Sequence, residues 1–383
     1  MTKVSIIPKK IKFFLLIIFC LYNHISFAQD VECVTSLGIH FDWWESLRYG
    51  EKGLQLYVPL KIDFYYNNFS ANFLSGYAYT VYDPVGQEHI SLSDLLDTKL
   101  NFSYKLPEKF PFSILLGVDF NLPTGRTRLS SEKLNVIMDP DLVSITSFGE
   151  GFNVNPNIAI VKEFGKVWLS AGFGYVWRGK YDYSNELIDY EPGGIWLFTS
   201  KLDFELNMQW HLWLINKYCW YGKDKLQGQD FYQEGDFVLF GAGIKYIKWP
   251  FEAKFGFEGI WRGKSKFPED GYKLNLEDRN SHGDEWIYNL GINYWINSKT
   301  SINGSIQFLW IDENDYEKTS AYYLGERRKI AFGLGLLREL NANIMTKIYV
   351  KWFTMHEQET WYHPDEERDY RGFSVDISLI TKF

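Results

Sequence analysis

Lys61 and Asp63 stand two residues apart, as do Lys201 and Asp203, so on a strand each pair shares a face. Asp42, Asp119, Arg178, Lys254, Glu258, Arg262, Lys351 and Asp376 fall on the corresponding parity of their own segments. Charges of both signs on one wall suit a water-filled interior, where they pair with one another and meet a passing solute. His40 shares the face of Asp42, and His211 lies on the same face of a later segment. Hydrolysis would need a nucleophile, a base and an orienting group converging in space. Each histidine is read instead as an ordinary polar residue, and no catalytic, cofactor-binding or metal-ligating residue is assigned. Glu357, Glu359, Asp365, Glu366, Glu367 and Asp369, with His356 and His363, make 357–370 strongly acidic. That stretch is read as a solvated loop rather than a divalent-cation site.

The elements that must hold these charges are strands. From Leu54 to Phe64 an apolar residue takes every second position, with Gln55, Tyr57, Lys61 and Asp63 between them. Period two gives a ribbon with one apolar and one polar side. Comparable rows recur from Leu37, Ile39, Phe41 and Trp43 to the terminal run ending at Phe383, about sixteen in all. Short connections (such as Asn67-Asn68, Pro107–Pro111, Glu163–Lys166 and Trp249-Pro250) alternate with long polar ones at 83–96, 123–151, 179–192, 222–234, 264–283, 313–327 and 357–370. Outer-membrane barrels have this rhythm, with short periplasmic turns and long external loops. The predicted fold is therefore all-β, a transmembrane antiparallel up-and-down β-barrel of about sixteen strands, or fourteen to eighteen if weak rows merge or split, with both termini periplasmic. Its weakest stretch is 206–221, where the apolar phase slips near Ile215. A soluble β-sandwich would alternate too, but it would bury its apolar rows against each other. The short-long rhythm and the Trp or Tyr at row ends argue against it.

Residues 1–28 have the form of a secretory signal peptide. Lys9, Lys10 and Lys12 precede an apolar run from Phe13 to Tyr22, and Ser26-Phe27-Ala28 places cleavage before Gln29. Residues 29–383 then form a single barrel domain in the bacterial outer membrane. Cleavage removes four lysines and no acid, so the formal charge falls from −8 to −12. A nucleic-acid partner would want a basic face. Aromatics at 19% suit interface girdles. Cys33 and Cys219 are expected far apart, as two free thiols. No cofactor is implied. The implied partners are outer-membrane lipid and lipopolysaccharide, the barrel assembly machinery and periplasmic chaperones, and a small-molecule solute. No plug segment is expected before the first strand and no peptidoglycan-binding segment after the last, which favours a passive channel.

Many inward positions are glycine, among them Gly76, Gly117, Gly172, Gly174, Gly243, Gly256, Gly291 and Gly333. Such a wall is approached by an inward loop, left open, or bent at barrel corners. The longest connection, 123–151, carries an apolar run at Leu134, Val136, Ile137 and Met138. Folding it into the lumen over Gly172 and Gly174 would bury that run and form a constriction. On this register, Arg at the outward Leu60 or Leu116 is expected to be costly and at the inward Gly117 tolerated.

The alternating Phe373, Val375, Ile377 and Leu379 before Phe383 resemble the terminal recognition signal of barrels inserted by the assembly machinery. A second resemblance lies in 110–210. Phe120-Asn121-Leu122-Pro123-Thr124-Gly125 opens the long loop and Gly149-Glu150-Gly151-Phe152-Asn153-Val154-Asn155-Pro156 closes it. Gly172-Phe173-Gly174-Tyr175-Val176-Trp177-Arg178-Gly179 follows, then Pro192-Gly193-Gly194, where the family commonly has Pro-Gly-Asp. This resembles the outer-membrane family named after the meta-pathway of phenol degradation. The resemblance implies a barrel transporter for small, often aromatic or hydrophobic, compounds. Two alternatives stand beside a passive channel: a structural or surface-binding barrel with a closed lumen, and a membrane-embedded hydrolase. Convergence of His40 or His211 with an acid and a hydroxyl would favour the hydrolase.

Overall fold

Backbone groups in lipid must be satisfied internally, and a sheet does this only by closing on itself. In the computed structural model seventeen antiparallel strands join into one such sheet. It describes residues 31–383 apart from 108, 269–272 and 361–365, so the signal segment, His363 and Asp365 lie outside the described residues. The first strands are β1 (Val31–Ser46), β2 (Lys52–Tyr66), β3 (Phe69–Asp83), β4 (Ile90–Leu95), β5 (Thr98–Lys105) and β6 (Ser113–Leu122). Next come β7 (Asn153–Phe164), β8 (Val167–Arg178), β9 (Ile195–Glu205), β10 (Trp210–Tyr221), β11 (Phe237–Lys248) and β12 (Phe251–Arg262). The last are β13 (Glu285–Asn297), β14 (Thr300–Ile311), β15 (Arg327–Asn341), β16 (Ile344–Glu357) and β17 (Arg368–Lys382). β1 pairs with both β2 and β17, which closes the ring. β4 runs along Tyr77–Tyr82 of β3 and β5 along Phe69–Leu74. The two are one stave broken at Leu96-Asp97, and the barrel has sixteen staves.

The outer face is apolar along the middle of the strands. Ile39 is 50% exposed, Leu116 42% and Phe332 49%, far more apolar surface than a soluble protein leaves in contiguous patches. A sandwich would have buried these rows. Here they form the belt that lipid covers, with Trp177, Trp196 and Trp352 near its edge. Cys33 and Phe383 exchange backbone hydrogen bonds of 2.9 and 3.2 Å, so the described chain ends meet at the end with the short turns. Cys33 and Cys219 are both free.

The structure departs from the sequence reading at five places. The 83–96 connection is mostly strand, since Ile90–Leu95 is paired. Its apolar Ile90 and Leu92 face inward, opposite in phase to Leu100 and Phe102 beyond the break, so the phase flip hid the strand. The phase slip at Ile215 is no irregularity, because β10 pairs without interruption from Trp210 to Tyr221. Trp213 and Ile215 are inward apolar residues lying across Gly243 and Gly241 of the next strand. His356 and Glu357 end a strand instead of sitting in the acidic loop. Leu60 keeps its outward parity but is 2% exposed, covered by its neighbours. A Cβ on Gly117 would lie 2.2 Å from Asn157 Oδ1, so that position is not roomy.

Candidate functional site

The site is the lumen and the segment that crosses it. The 123–151 segment leaves after β6 and returns at β7, and one carboxylate at the break between β4 and β5 ties its two ends together. Asp97 Oδ1 accepts the Gly125 N–H at 2.8 Å, and Oδ2 accepts the Glu150 N–H at 2.7 Å and Asn121 Nδ2 at 2.6 Å. Thr124 Oγ1 donates to the Leu96 carbonyl at 2.9 Å and accepts the Thr98 N–H at 2.9 Å. A Cβ on Gly125 would sit 1.9 Å from the Phe148 carbonyl, so only glycine permits this closure. The glycines that open and close the loop in sequence thus meet at Asp97, a residue with no signal of its own in the sequence.

From that neck the segment reaches the opposite wall. A single helical turn, Ser131–Leu134, leads into the apolar run. Val136 is 1% exposed and packs with Ala78, Ile90, Leu92, Leu129 and Phe148, while Leu134 and Ile137 flank the same cluster. Met138, Leu142 and Val143 form a second cluster with Trp44, Ala331, Phe353 and Tyr370. Burying side chains of this size contributes about 1.5–3 kcal/mol each. Trp44 Nε1 donates to Met138 Sδ at 3.2 Å. Gln55 clamps the Ile145 backbone, accepting its N–H at 2.7 Å and donating to its carbonyl at 2.9 Å. Arg327 lies 2.8 Å from both Asp139 and Asp141 and 2.6 Å from Glu357. Lys329 donates to the Asp141 carbonyl. Arg327 is on β15, seven staves around the ring from β6, so the segment is anchored along nearly half of the wall. The floor is not the one expected. Gly172 and Gly174 face Thr199 and Asn155 instead, and the segment rests on β1 to β4 and β15 to β17.

His40 does meet an acid and a hydroxyl. Its Nε2 is 2.7 Å from Ser144 Oγ and 3.0 Å from Asp42 Oδ1, and its Nδ1 is 3.7 Å from Asp376. As a base, Nε2 would need a bare lone pair, which would then face the Asp42 carboxylate. The N–H groups nearest Ser144 are already used, its own by Asp42 at 2.9 Å and that of Ile145 by Gln55. Those two groups are therefore not free to hold a developing oxyanion. The constellation acts as an anchor holding Ser144 to the wall. His211 sits opposite Glu205 and Lys245, near the short-turn end.

The remaining lining residues divide into three sets. Lys61 and Asp63 are paired at 2.8 Å, as are Lys201 and Asp203. Asp119 accepts from Asn155 at 2.8 Å and from Asn157 at 3.1 Å, and Ser374 donates to Asp42 at 2.6 Å. Asp376 accepts from Ser378 at 3.1 Å. Arg178 and Arg262 belong to the long-loop end. Arg178 donates to the Gly193 carbonyl at 2.7 Å and reaches Asp224 at 3.4 Å, while Arg262 pairs with Glu285 at 2.8 Å. Asp224 also accepts the Gly193 N–H at 2.6 Å and the Tyr190 hydroxyl, so it supplies a carboxylate beside Pro192-Gly193-Gly194. Burial, and then that bond to Asp224, push the Tyr190 hydroxyl well above the ordinary phenol range. The third set, Lys254, Glu258 and Lys351, lines a cavity of about 430 Å³ on the wall of β10 to β16. Across the lumen, Lys61, Asp63, Lys99, Asn101 and Asp119 line another of about 490 Å³. Several inward glycines have a simple cause, since rings from the neighbouring strand lie over them: Tyr57 over Gly76, Trp213 over Gly243, and Tyr349 over Gly333.

No family model matches the chain, and no curated relative matches it. Among solved structures it is similar to the anion-selective porin from Comamonas acidovorans, with 13% identity and a TM-score of 0.41 over 92% of this chain and 99% of that one. It is similar to OccK7 (OpdD) of Pseudomonas aeruginosa, with 10% identity and a TM-score of 0.46 over 93% and 100%. It is also similar to OmpT of Vibrio cholerae, with 9% identity and a TM-score of 0.43 over 94% and 100%.

Proposed function

We propose that the protein is a passive channel of the bacterial outer membrane, with the short turns and both chain ends periplasmic. One observation carries this reading. A closed barrel with an apolar outer belt encloses a charged, cavity-bearing lumen, and an internally anchored segment crosses it. A wall built only for support would gain little from cavities of several hundred Å³ lined by charged groups. The crossing segment sets the limiting width, so passage is restricted to small solutes. The resemblance to the meta-pathway family supports aromatic or hydrophobic compounds among them. Rings such as Trp213 and Tyr349, packed over wall glycines, would offer those compounds aromatic surface. Purified protein in a planar bilayer tests the reading. Discrete, ohmic single-channel steps are expected, and a sealed bilayer with a correctly folded barrel would favour the closed-lumen alternative.

A further inference from the structure

Three lumen lysines carry their own counter-charge on the wall. Lys61 has Asp63, Lys201 has Asp203, and Lys245 has Glu252 at 2.9 Å. Lys99, Lys217, Lys254, Lys347 and Lys351 make no ion pair among the described residues, and of these Lys254 and Lys351 line one cavity, Lys254 overhanging the Trp213 ring at 5.3 Å. They are joined by the register. Lys254 faces Gly291, which faces Ser305, which faces Gly333, which faces Lys351. Nothing longer than serine stands between the two lysines in that row. Four inter-strand steps place them about 19 Å apart along the wall at the backbone, and both line the same cavity. A Cβ on Gly291 would meet nothing within 4 Å, so the floor is open there, while the Tyr349 ring covers Gly333 at the Lys351 end.

The next row supplies the polar edge. Gly256 faces Asn289, Asn289 faces Gln307, and Gln307 faces Ala331. Gln307 Nε2 donates to Asn289 Oδ1 at 3.1 Å, which fixes the amide orientation and leaves Asn289 Nδ2 as a donor toward the cavity. Tyr349 and Ser305 hydroxyls, 2.5 Å apart, add a further donor. Trp213 gives the same cavity one aromatic side.

We infer that this pocket is a binding site for small organic carboxylates, the carboxylate held between Lys254 and Lys351 and the body of the molecule against Trp213. The inference rests on the channel reading and names the solute class of that lumen. Two unpaired cations and an oriented amide donor recognise an anion, and the ring rewards an apolar body over an inorganic ion. Glu258 on the same wall disfavours long polyanions and leaves room for a single anionic head.

Calorimetry on the detergent-solubilised barrel separates this claim from conduction, because binding needs no open path. Benzoate is expected to bind and benzyl alcohol to bind at least tenfold more weakly. The double variant K254Q/K351Q should lose benzoate binding by tenfold or more. K254R/K351R should retain it, and K201Q, whose charge is already paired, should leave it unchanged. Heat-modifiable migration on gels confirms that each variant is folded. Equal binding of benzoate and benzyl alcohol, or unaltered benzoate binding by the glutamine double variant, overturns the site. Benzoate binding without single-channel steps would overturn the channel reading and leave the site standing.

Discussion

Two residues hold the crossing segment more firmly than their neighbours suggest. Asp97 collects two backbone N–H groups and an Asn121 amide, so Asp97→Ala leaves three donors without their acceptor. The expected loss is about 3 kcal/mol. It would be read from urea unfolding of the folded barrel, with faster proteolysis within 126–147 as the local sign. Arg327 pairs with Asp139, Asp141 and Glu357 at once. Its removal leaves three carboxylates facing one another, so Arg327→Ala should release the segment and raise open-channel noise. Arg328→Ala, one residue on and outward-facing, should not. Strand parity assigns each lumen side chain an expected face before any contact is known. Their partners were not legible. Asp42 meets Ser144 across 102 residues and Gln55 meets Ile145 across 90, and such pairings follow from the path of an irregular segment, which has no period to read.

At the scale of strands, alternation identified nearly every stave because the outer rows face lipid and must be apolar without interruption. It failed where that condition lapsed. The Ile90–Leu95 strand turns its apolar side inward, onto the crossing segment, so its pattern read as a polar loop. β10 looked irregular because Trp213 and Ile215 are apolar residues on the lumen side. The assigned faces make a sharp mutational contrast. Leu116→Arg puts a charge in the lipid belt and should cost about 2–4 kcal/mol in detergent-to-bilayer folding equilibria. Gly291→Arg, inward with open space around it, should change stability little, and equal costs would mean the register is wrong. The last strand offers a second test. Phe383 closes the pairing with Cys33 at the short-turn end and is 46% exposed. Deleting it should lower the yield of assembled barrel in cells while barely changing the urea midpoint of barrels already folded.

For the whole molecule, the architecture reduces to a rigid wall and one inserted crossbar. The wall has no free edge, its outer belt is matched to lipid, and its interior is polar. The crossbar is fixed at its neck by Asp97, along its length by two apolar clusters, and at its far end by Arg327. Composition and periodicity pointed to the class of the wall, and the apolar run at Leu134, Val136, Ile137 and Met138 raised the expectation of an inward crossbar. The wall it would lean on was open, since Gly172 and Gly174 offered a plausible floor that local side chains from neighbouring strands already fill.

The central claim is that this crossbar limits passage, and single-channel conductance of the intact barrel beside a variant lacking residues 130–147 tests it directly. Both proteins would be shown folded by heat-modifiable migration and recorded in the same bilayer and salt. A severalfold larger conductance in the shortened protein, with admission of solutes that the intact barrel excludes, is the predicted result. Equal conductance from two folded barrels would contradict it and place the limiting width elsewhere in the wall.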